Sequence, residues 1–409
     1  MLATLRNRNF SLLWLGGLIS LSGNWILLTA LPFYVYNLTG SALATSGLMM
    51  AYIAPGIVFG SVAGVFVDRW DRRRTMIGVS LAQAAVIPLL VLVRSPEQIW
   101  LVYLVAFLEA GLGQFFGPAE NALLPTLVGE EHLVSANSLN AMNDNLARMI
   151  GPALGGVLLG MLGLSSVIWA DALSYLAVGL LVMLMSAPAR PPRSQPDVVA
   201  EKAVGQWRQV WQEWLAGLRL VRHDQLLLAI FAVFGIALFG DAILSALLVV
   251  FVQDGMGLGP VEFGWIMTAR GVGGLLGGLL IAQFGSKFKP VQLIGGGLAV
   301  SGLLILVMVN VPSLPVVMGL MVVGGPFFMG WIISGWTLLQ TSTADEFRGR
   351  VFGAFGTTTT LLMFVGSGLA GLLADYLGAT SLLNTAALIY VVAGVFGWVV
   401  LKRVMGMRG

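Results

Sequence analysis

Seven ionisable side chains stand inside long apolar segments of this 409-residue sequence: Glu109, Glu120, Asp144, Arg148, Asp171, Asp241 and Arg270. A charged group at the centre of a bilayer costs at least ~2.5–3.5 kcal/mol on insertion scales, so each needs a partner or a function. A carboxylate without a partner in a low-dielectric environment has its charged form disfavoured, and it is then able to take up a proton near neutral pH. Binding of protons or cations is therefore the chemistry that these residues suggest.

Glu109 and Glu120 belong to the same apolar segment, where Glu109, Gly113, Phe116 and Glu120 follow each other at steps of four, three and four. This spacing places both carboxylates on one face of a helix. At a rise of ~1.5 Å per residue, Glu109 is expected near the middle of the bilayer and Glu120 about three turns closer to the cytoplasm. We expect both to be proton sites or sites for a cationic substrate.

Asp241 lies near the middle of another apolar segment and aligns with the neutral Asn24 in the first half of the chain. A single titratable group where two carboxylates would repel each other suits a proton carrier. The alternative is a static ion pair with Arg270 in the next segment.

Asp144 and Arg148 are four residues apart, which is the spacing of an ion pair within one helix. We expect them to neutralise each other; alternatively, Arg148 reaches Glu109 or Glu120 and releases that carboxylate when substrate or a proton arrives. For Asp171 we expect a hydrogen-bonding role in the structure rather than in transport.

Composition gives the class of protein. Hydrophobic residues make up 57% of the chain and charged residues 10%, with a mean hydropathy of +0.90, values far from those of a soluble domain. The sequence has no Cys, so disulfides and thiolate metal sites are excluded. It also lacks a phosphate-binding loop for ATP, and His132 and His223 are isolated. We therefore expect an all-α polytopic membrane protein that is not an enzyme and has no metal site.

The apolar segments predict twelve transmembrane helices, each long enough for the hydrocarbon core. They lie near residues 10–36, 42–67, 75–93, 98–127, 135–161, 164–186, 226–253, 261–284, 290–310, 314–340, 350–374 and 380–402. Of the 22 Lys and Arg residues, only Arg94, Arg148 and Arg270 fall outside the loops of one side. The distribution of positive charge predicts that both termini are cytoplasmic, with the plasma (inner) membrane as the location.

The longest interruption divides the chain into residues 1–186, a cytoplasmic linker at 187–225 and residues 226–409. The linker begins as a Pro-rich spacer, which cannot be helical throughout. It ends in an amphipathic pattern with Trp207, Trp211 and Trp214 on the apolar side. Such a helix suits the headgroup layer of a membrane; the alternative is a site for a regulatory partner.

The two blocks of six segments repeat each other. The segment from Leu21 to Leu27 aligns with that from Leu238 to Leu244. Three glycines of the fifth segment align with three of the eleventh at nearly the same offset along the chain: Gly151, Gly156 and Gly163 with Gly366, Gly371 and Gly378. A nearly constant offset predicts two pseudo-symmetric six-helix bundles in the same orientation.

Four motifs resemble those of the major facilitator superfamily, in the branch of drug and siderophore exporters, and the resemblance covers essentially the whole chain. They are Leu5-Arg6-Asn7-Arg8-Asn9-Phe10, the charged loop with Gly64, Asp68, Arg69, Arg72 and Arg73, the segment with Gly151, Pro152, Gly155 and Gly156, and Arg348-Gly349-Arg350-Val351-Phe352-Gly353.

The resemblance implies that the charged loop is a gate that locks the cytoplasmic ends of the two bundles together. It implies that the Gly151–Gly156 motif marks exporters that exchange substrate for protons; its glycines alternatively serve helix packing alone. Two features depart from the family pattern. Asp71 stands where the loop usually has glycine, and the fourth segment lacks the intramembrane arginine of many proton antiporters.

In the resembled fold, the first, fourth, seventh and tenth segments line a central cavity. Glu109, Glu120, Asp241 and Asn24 then face it. An apolar, aromatic site suits amphiphilic ligands, and aromatic faces tolerate organic cations. The expected lining residues are Trp25, Phe33, Phe116, Phe328, Trp331 and Gln340.

These observations predict a secondary transporter that exports amphiphilic, drug-like molecules by alternating access, in exchange for protons. One alternative is an exporter or flippase for lipid-like or siderophore substrates without obligatory proton coupling. The other is a membrane receptor or scaffold that transports nothing. We expect no cofactor besides a proton gradient as the energy source. The expected partners are the small-molecule substrate and membrane lipids, not nucleic acid, and the chain is expected to be a monomer.

Overall fold

The computed structural model describes residues 2–67, 69–186 and 199–406. In this part of the chain, twelve helices are long and apolar enough to cross a bilayer, which confirms the predicted architecture of a multi-pass membrane protein. We number them spans 1 to 12. Their helices are Arg8–Thr39, Ala42–Val67, Arg72–Val86, Ile99–Val128, Leu133–Leu162, Leu164–Met183, Gln225–Val250, Pro260–Phe284, Gly297–Asn310, Leu314–Ser342, Arg348–Leu377 and Ala379–Gly406.

Local sequence signals set several helix ends. Asn7, Asp71 and Asp224 precede spans 1, 3 and 7, and each side chain accepts hydrogen bonds from backbone amides of the following turn. Such caps satisfy amides that have no partner inside the helix. Spans 5 and 11 end at Gly163 and Gly378, whose φ angles are +76° and +79°, a conformation that glycine adopts without steric cost.

Several spans are extended at one end by another helical form, and the three longest of these segments adjoin spans 3, 7 and 9. A 3-10 helix, Ile87–Leu92, extends span 3, and it contains Pro88, which has no amide to donate. A π-helix, Phe251–Gly255, follows span 7, and another, Gln292–Gly296, precedes span 9. The sequence pattern predicted the length of these segments but not the change of helical form.

The chain forms two compact units. The first contains Met1–Gly40, Ala51–Gln206 and Gly259–Thr268, and the second contains Ser41–Met50, Trp207–Leu258 and Ala269–Gly409. Within the first unit, span 1 packs against spans 5 and 6; within the second, span 7 packs against spans 11 and 12. These are equivalent helices of the two sequence repeats.

Glycine contacts show that the repeat extends to atomic packing. A Cβ atom on Gly151 would lie 2.5 Å from Trp25 Cβ, and one on Gly366 would lie 2.9 Å from Ala242 Cβ. Trp25 and Ala242 are themselves equivalent positions, since both belong to the aligned segments of spans 1 and 7. Helix backbones approach this closely only where the side chain is a hydrogen atom.

A second pair of glycine contacts is also equivalent in the two units. A Cβ on Gly156 would overlap the carbonyl oxygen of Pro260, and one on Gly371 would lie 3.0 Å from Leu43 Cα. Leu43 and Pro260 are separated along the chain by the same offset as Trp25 and Ala242. The start of span 8 therefore packs on span 5 in the first unit as the start of span 2 packs on span 11 in the second.

The predicted amphipathic helix is present as Val199–His223, whereas the Pro-rich spacer at 187–198 lies outside the described residues. Trp214 Nε1 donates a hydrogen bond to Thr358 Oγ1 at 3.1 Å, and Val221 is buried in the core of the second unit. Trp211 remains 56% exposed. Part of the apolar face that we assigned to the headgroup layer thus packs on protein.

Candidate functional site

Glu109 is the centre of a buried polar cluster in the first unit, and 2% of the residue is exposed. Asn24 Nδ2 of span 1 donates to Glu109 Oε1 at 3.0 Å. The hydroxyl of Tyr175 in span 6 donates to the same oxygen at 3.5 Å and accepts from Asn24 Nδ2 at 3.3 Å. Three helices therefore meet at one carboxylate oxygen.

The second oxygen of this carboxylate has a different environment. Glu109 Oε2 is buried and has no hydrogen-bond partner among the described residues. Gln83 Nε2 of span 3 donates to the backbone oxygen of Glu109 at 3.1 Å, which fixes this turn of span 4. A buried polar atom without a partner is costly. Oε2 is thus the position where a proton or a cationic ligand would lower the free energy of the site.

Glu120 lies further along span 4, is half-buried and is close enough to Asp144 for their charges to interact. Asp144 and Arg148 are exposed, and no ion pair joins them among the described residues. The predicted intrahelical pair was wrong. Arg148 instead places its guanidinium over the Trp25 ring, 5.4 Å from the centroid, a contact that stabilises a cation without a carboxylate.

Asp241 is the centre of a second polar cluster, in the second unit, where it is 8% exposed. The Tyr390 hydroxyl of span 12 donates to Asp241 Oδ1 at 2.9 Å. Arg270 Nη2 of span 8 lies 3.6 Å from the same oxygen. The ion pair that we gave as the alternative for Asp241 is therefore present, at a long distance. The Arg270 guanidinium also lies over the Phe328 ring, 5.9 Å from its centroid.

The two clusters occupy equivalent positions of the repeat. Asn24 contacts Tyr175 in one unit, and Asp241 contacts Tyr390 in the other. The two tyrosines are separated by the same offset as the glycines of spans 5 and 11. Sequence reasoning from charged residues alone missed both tyrosines, whereas a comparison of polar residues between the repeats would have found them.

The expected cavity-lining residues differ in exposure. Trp331 is fully buried, with its ring 5.0 Å from that of Phe234, so it belongs to the core of the second unit and our assignment to a lining was wrong. Phe33 is also buried and packs on Phe263 at 6.0 Å. Trp25, Phe116 and Phe328 are partly exposed and Gln340 is exposed, so these four remain available to a ligand.

Two arginines of the charged loop bind backbone carbonyls within the first unit. Arg72 Nη1 donates to the carbonyl of Ala122, and Arg73 Nε donates to the carbonyl of Val182 at 3.0 Å. The second contact satisfies the carboxyl end of span 6 and complements its helix dipole. Gly64 lies within span 2 with open space beside its Cα and Arg69 is partly buried, whereas Asp68 lies outside the described residues.

Asp71, the unexpected residue of this loop, has a local function. Its side chain accepts a hydrogen bond from the Arg74 amide at 2.8 Å and caps span 3. Glycine at this position cannot form a side-chain cap. The departure from the family pattern therefore strengthens the start of a helix.

The motif with Gly151, Pro152, Gly155 and Gly156 is a packing surface. A Cβ on Gly155 would lie 2.6 Å from the carbonyl of Ile26, and Pro152 is buried within the helix. Through this motif, span 5 packs against span 1 on one side and against the start of span 8 on the other. In the described part of the chain, no group of three His, Cys, Asp or Glu residues could hold a metal ion.

Comparison with known proteins agrees with this arrangement. Residues 1–406 match the family described as Transmembrane secretion effector. Macrolide efflux protein A of Streptococcus pyogenes is 29% identical over 379 residues, covering 90% of each chain. Multidrug efflux pump Tap of Mycolicibacterium fortuitum is 30% identical over 371 residues, covering 87% of each.

Solved structures share the fold at low identity. A bacterial homologue of the iron transporter ferroportin has a TM-score of 0.75 at 15% identity, covering 97% of this chain and 98% of its own. The nucleoside transporter NupG has a TM-score of 0.72 at 16% identity, covering 98% of this chain and 99% of its own. The chain belongs to the transmembrane secretion effector family of the major facilitator superfamily, a family of transporters rather than enzymes.

Proposed function

We propose that this protein exports amphiphilic, drug-like molecules of the macrolide type in exchange for protons, by alternating access. The observation that carries the proposal is the buried Glu109 carboxylate, which has neutral donors on one oxygen and no partner on the other among the described residues. The names of its relatives, a macrolide efflux protein and a multidrug efflux pump, support the substrate class.

The geometry suits reversible protonation. Asn24 and Tyr175 hold Oε1 through neutral hydrogen bonds, so the carboxylate keeps its orientation in both protonation states. A proton on Oε2 removes the buried charge, and its release restores an anion that attracts a cationic ligand. Proton and substrate then compete for one group, which is the requirement for exchange.

Asp241 and Arg270 form the second element of the proposal. At 3.6 Å the pair lacks the short contact of a strong charge-assisted hydrogen bond, and 36% of the Arg270 side chain is exposed. A substrate whose polar groups accept hydrogen bonds from Arg270 breaks this pair at moderate cost. We assign the pair to the conformational cycle and Glu109 to the binding of protons.

The substrate class follows from the partly exposed aromatic residues near these charges. Trp25 lies beside Arg148, and Phe328 lies beside Arg270. Aromatic rings next to cationic side chains suit molecules that combine an apolar body with a few polar groups. The distribution of Lys and Arg supports a topology with both termini in the cytoplasm, and we place the protein in the plasma membrane.

Transport into vesicles tests the proposal. Purified protein is reconstituted into liposomes, and uptake of erythromycin is measured with and without a pH gradient across the membrane. Glu109→Gln should abolish gradient-driven uptake, whereas Glu130→Gln, an exposed carboxylate of the same unit, should retain it. Equal uptake with and without the gradient would refute proton exchange and favour an exporter without obligatory coupling.

A further inference from the structure

Asp171 is a buried carboxylate to which the proposed function gives no task. It lies in span 6 and is 0% exposed. Ser174 Oγ donates to the Asp171 backbone oxygen at 2.7 Å and lies 3.4 Å from Oδ1. Oδ2 is buried and has no hydrogen-bond partner in the described part of the chain. Ionisation of a carboxyl group in this environment has a high free-energy cost.

Asp171 lies against the Glu109 cluster. It precedes Tyr175 by four positions, so the two side chains share one face of span 6. Gly23, next to Asn24, faces it across span 1, since a Cβ on Gly23 would lie 2.7 Å from Asp171 Oδ1. Neighbouring residues of spans 1 and 6 therefore flank both carboxylates, Asn24 and Tyr175 at Glu109 and Gly23 at Asp171, and the two carboxylates lie close enough for their charges to interact.

Within the described ranges of the chain, the titratable groups around this pair include no cation. Tyr52 of span 2 lies close enough to interact electrostatically with both carboxylates, as does Glu109 of span 4 with Asp171, and Tyr175 lies on the same helix as Asp171. No Lys or Arg lies within ion-pair distance of either carboxylate among the described residues. Two neighbouring buried carboxylates without a cation cannot both be ionised at reasonable cost.

Packing does not require a carboxylate at this position. The second unit has Ala386 at the equivalent place in span 12, four positions before Tyr390 as Asp171 is before Tyr175. Gly240, the equivalent of Gly23, packs there on the carbonyl of Ala386, 3.3 Å from a Cβ built on the glycine. The same contact of two helices is therefore made with alanine, and Asp171 adds a titratable group that the fold can omit.

We propose that Asp171 is a second proton-binding carboxylate that acts together with Glu109, so that the pair loads and releases protons as one unit. The inference rests on the proposed proton exchange and deepens it. Each protonation forms one O–H bond, on Glu109 or on Asp171, with a proton taken from water, and each release returns it. With two protons the pair is neutral; with one it carries a single negative charge that is able to attract a cationic substrate. The positive charge of the bound substrate then allows the second proton to leave to water.

Infrared spectroscopy tests the protonation of Asp171 without any substrate. The difference spectrum of the purified protein between acidic and alkaline buffer reports the carbonyl stretch of protonated carboxyl groups. Asp171→Asn should remove part of this band, and Glu109→Gln should remove another part. Asp375→Asn, an exposed carboxylate of span 11, should leave the buried-carboxyl region unchanged. An unchanged band in Asp171→Asn would overturn the inference.

Proton release tests the coupling. Erythromycin is added to unbuffered protein in detergent, and a pH indicator reports the number of protons released per molecule bound. The wild-type protein should release more than either single variant, and the double variant should release none. Release at the wild-type level from Asp171→Asn would refute a second proton site.

The two measurements separate failure of this inference from failure of the proposed function. If the wild-type protein binds erythromycin without releasing protons, proton exchange is refuted, and the infrared band still decides whether Asp171 carries a proton. If Asp171→Asn does not fold, Gly23→Ala replaces it. The added methyl group would overlap Ser174 Oγ and lie 2.7 Å from Asp171 Oδ1, so it should shift the band that Asp171 contributes; an unshifted band would contradict the assignment.

Discussion

Tyr390→Phe and Tyr175→Phe each remove one hydroxyl group from equivalent positions of the two units. The Tyr390 hydroxyl donates to Asp241 Oδ1 at 2.9 Å, whereas the Tyr175 hydroxyl lies 3.5 Å from Glu109 Oε1. Because the two tyrosines hold equivalent positions of the repeat, the pair of variants compares a short hydrogen bond to a carboxylate with a long one; the Tyr175 hydroxyl also accepts from Asn24 Nδ2 at 3.3 Å.

The expected costs follow from these distances. Side-chain hydrogen bonds in helical membrane proteins average about 0.6 kcal/mol and reach about 1.7 kcal/mol. A 2.9 Å bond to a carboxylate should lie at the upper end, and a bond at 3.5 Å should lie near or below the average. Loss of the Tyr390 hydroxyl also leaves the 3.6 Å contact with Arg270 as the partner of Asp241. We therefore expect Tyr390→Phe to destabilise the protein by about 1–2 kcal/mol and Tyr175→Phe by less than about 1 kcal/mol.

Thermal unfolding in detergent, followed by tryptophan fluorescence, ranks the two variants, and a double-mutant cycle with Asp241→Asn measures the coupling. In the cycle, Tyr390→Phe and Asp241→Asn should be less than additive, because Asp241→Asn replaces the charged acceptor of this bond by a neutral amide oxygen that binds the hydroxyl more weakly. Equal destabilisation by the two tyrosine variants, or full additivity in the cycle, would refute the inference that the Asp241 cluster is held by this hydroxyl.

Three further predictions concern packing, capping and an absent ion pair. Gly156→Ala should reduce folding yield strongly, since its Cβ would overlap the Pro260 carbonyl, whereas Gly353→Ala, with open space around it, should express at the wild-type level. Asp71→Ala should cost about 1 kcal/mol in thermal unfolding by removing the cap of span 3, with unchanged erythromycin affinity; a large loss of affinity would contradict a purely local function. Asp144→Asn should change stability by less than about 0.5 kcal/mol, because no partner is lost, and a larger loss would show that Arg148 depends on it.

The sequence predicted the helices well because their cause is local. A helix that crosses a bilayer needs about 20 apolar residues and backbone groups that are hydrogen-bonded within the helix. Both requirements can be recognised from the sequence alone. The repeat predicted more than the number of helices. Gly151 packs on Trp25 and Gly366 on Ala242, and these contacts join residues that the sequence alignment of the two halves makes equivalent. The capping function of Asp71 was not predicted, although an aspartate directly before a helix is a common cap.

Side-chain partners were harder to predict because they depend on the rotation and tilt of each helix, which packing decides. The spacing of Asp144 and Arg148 fits an ion pair on an ideal helix, yet Arg148 lies over Trp25. Trp331 stands in a segment assigned to a cavity, yet it is buried against Phe234. In each case the pattern identifies the residues of a segment and not the neighbour that each one faces.

Charge, unlike packing, is distributed unequally between the two units. The second unit balances its buried Asp241 with Arg270, whereas position 53, which aligns with Arg270, is an isoleucine. The first unit holds Glu109 and Asp171 in its interior, with no cation at ion-pair distance among the described residues. A buried anion needs a proton or a cation to neutralise it. In the second unit Arg270 provides that cation, whereas in the first unit a proton or a cationic ligand must come from solution. Under the proposed exchange, this asymmetry makes the first unit the one whose charge changes with protons and cationic substrate.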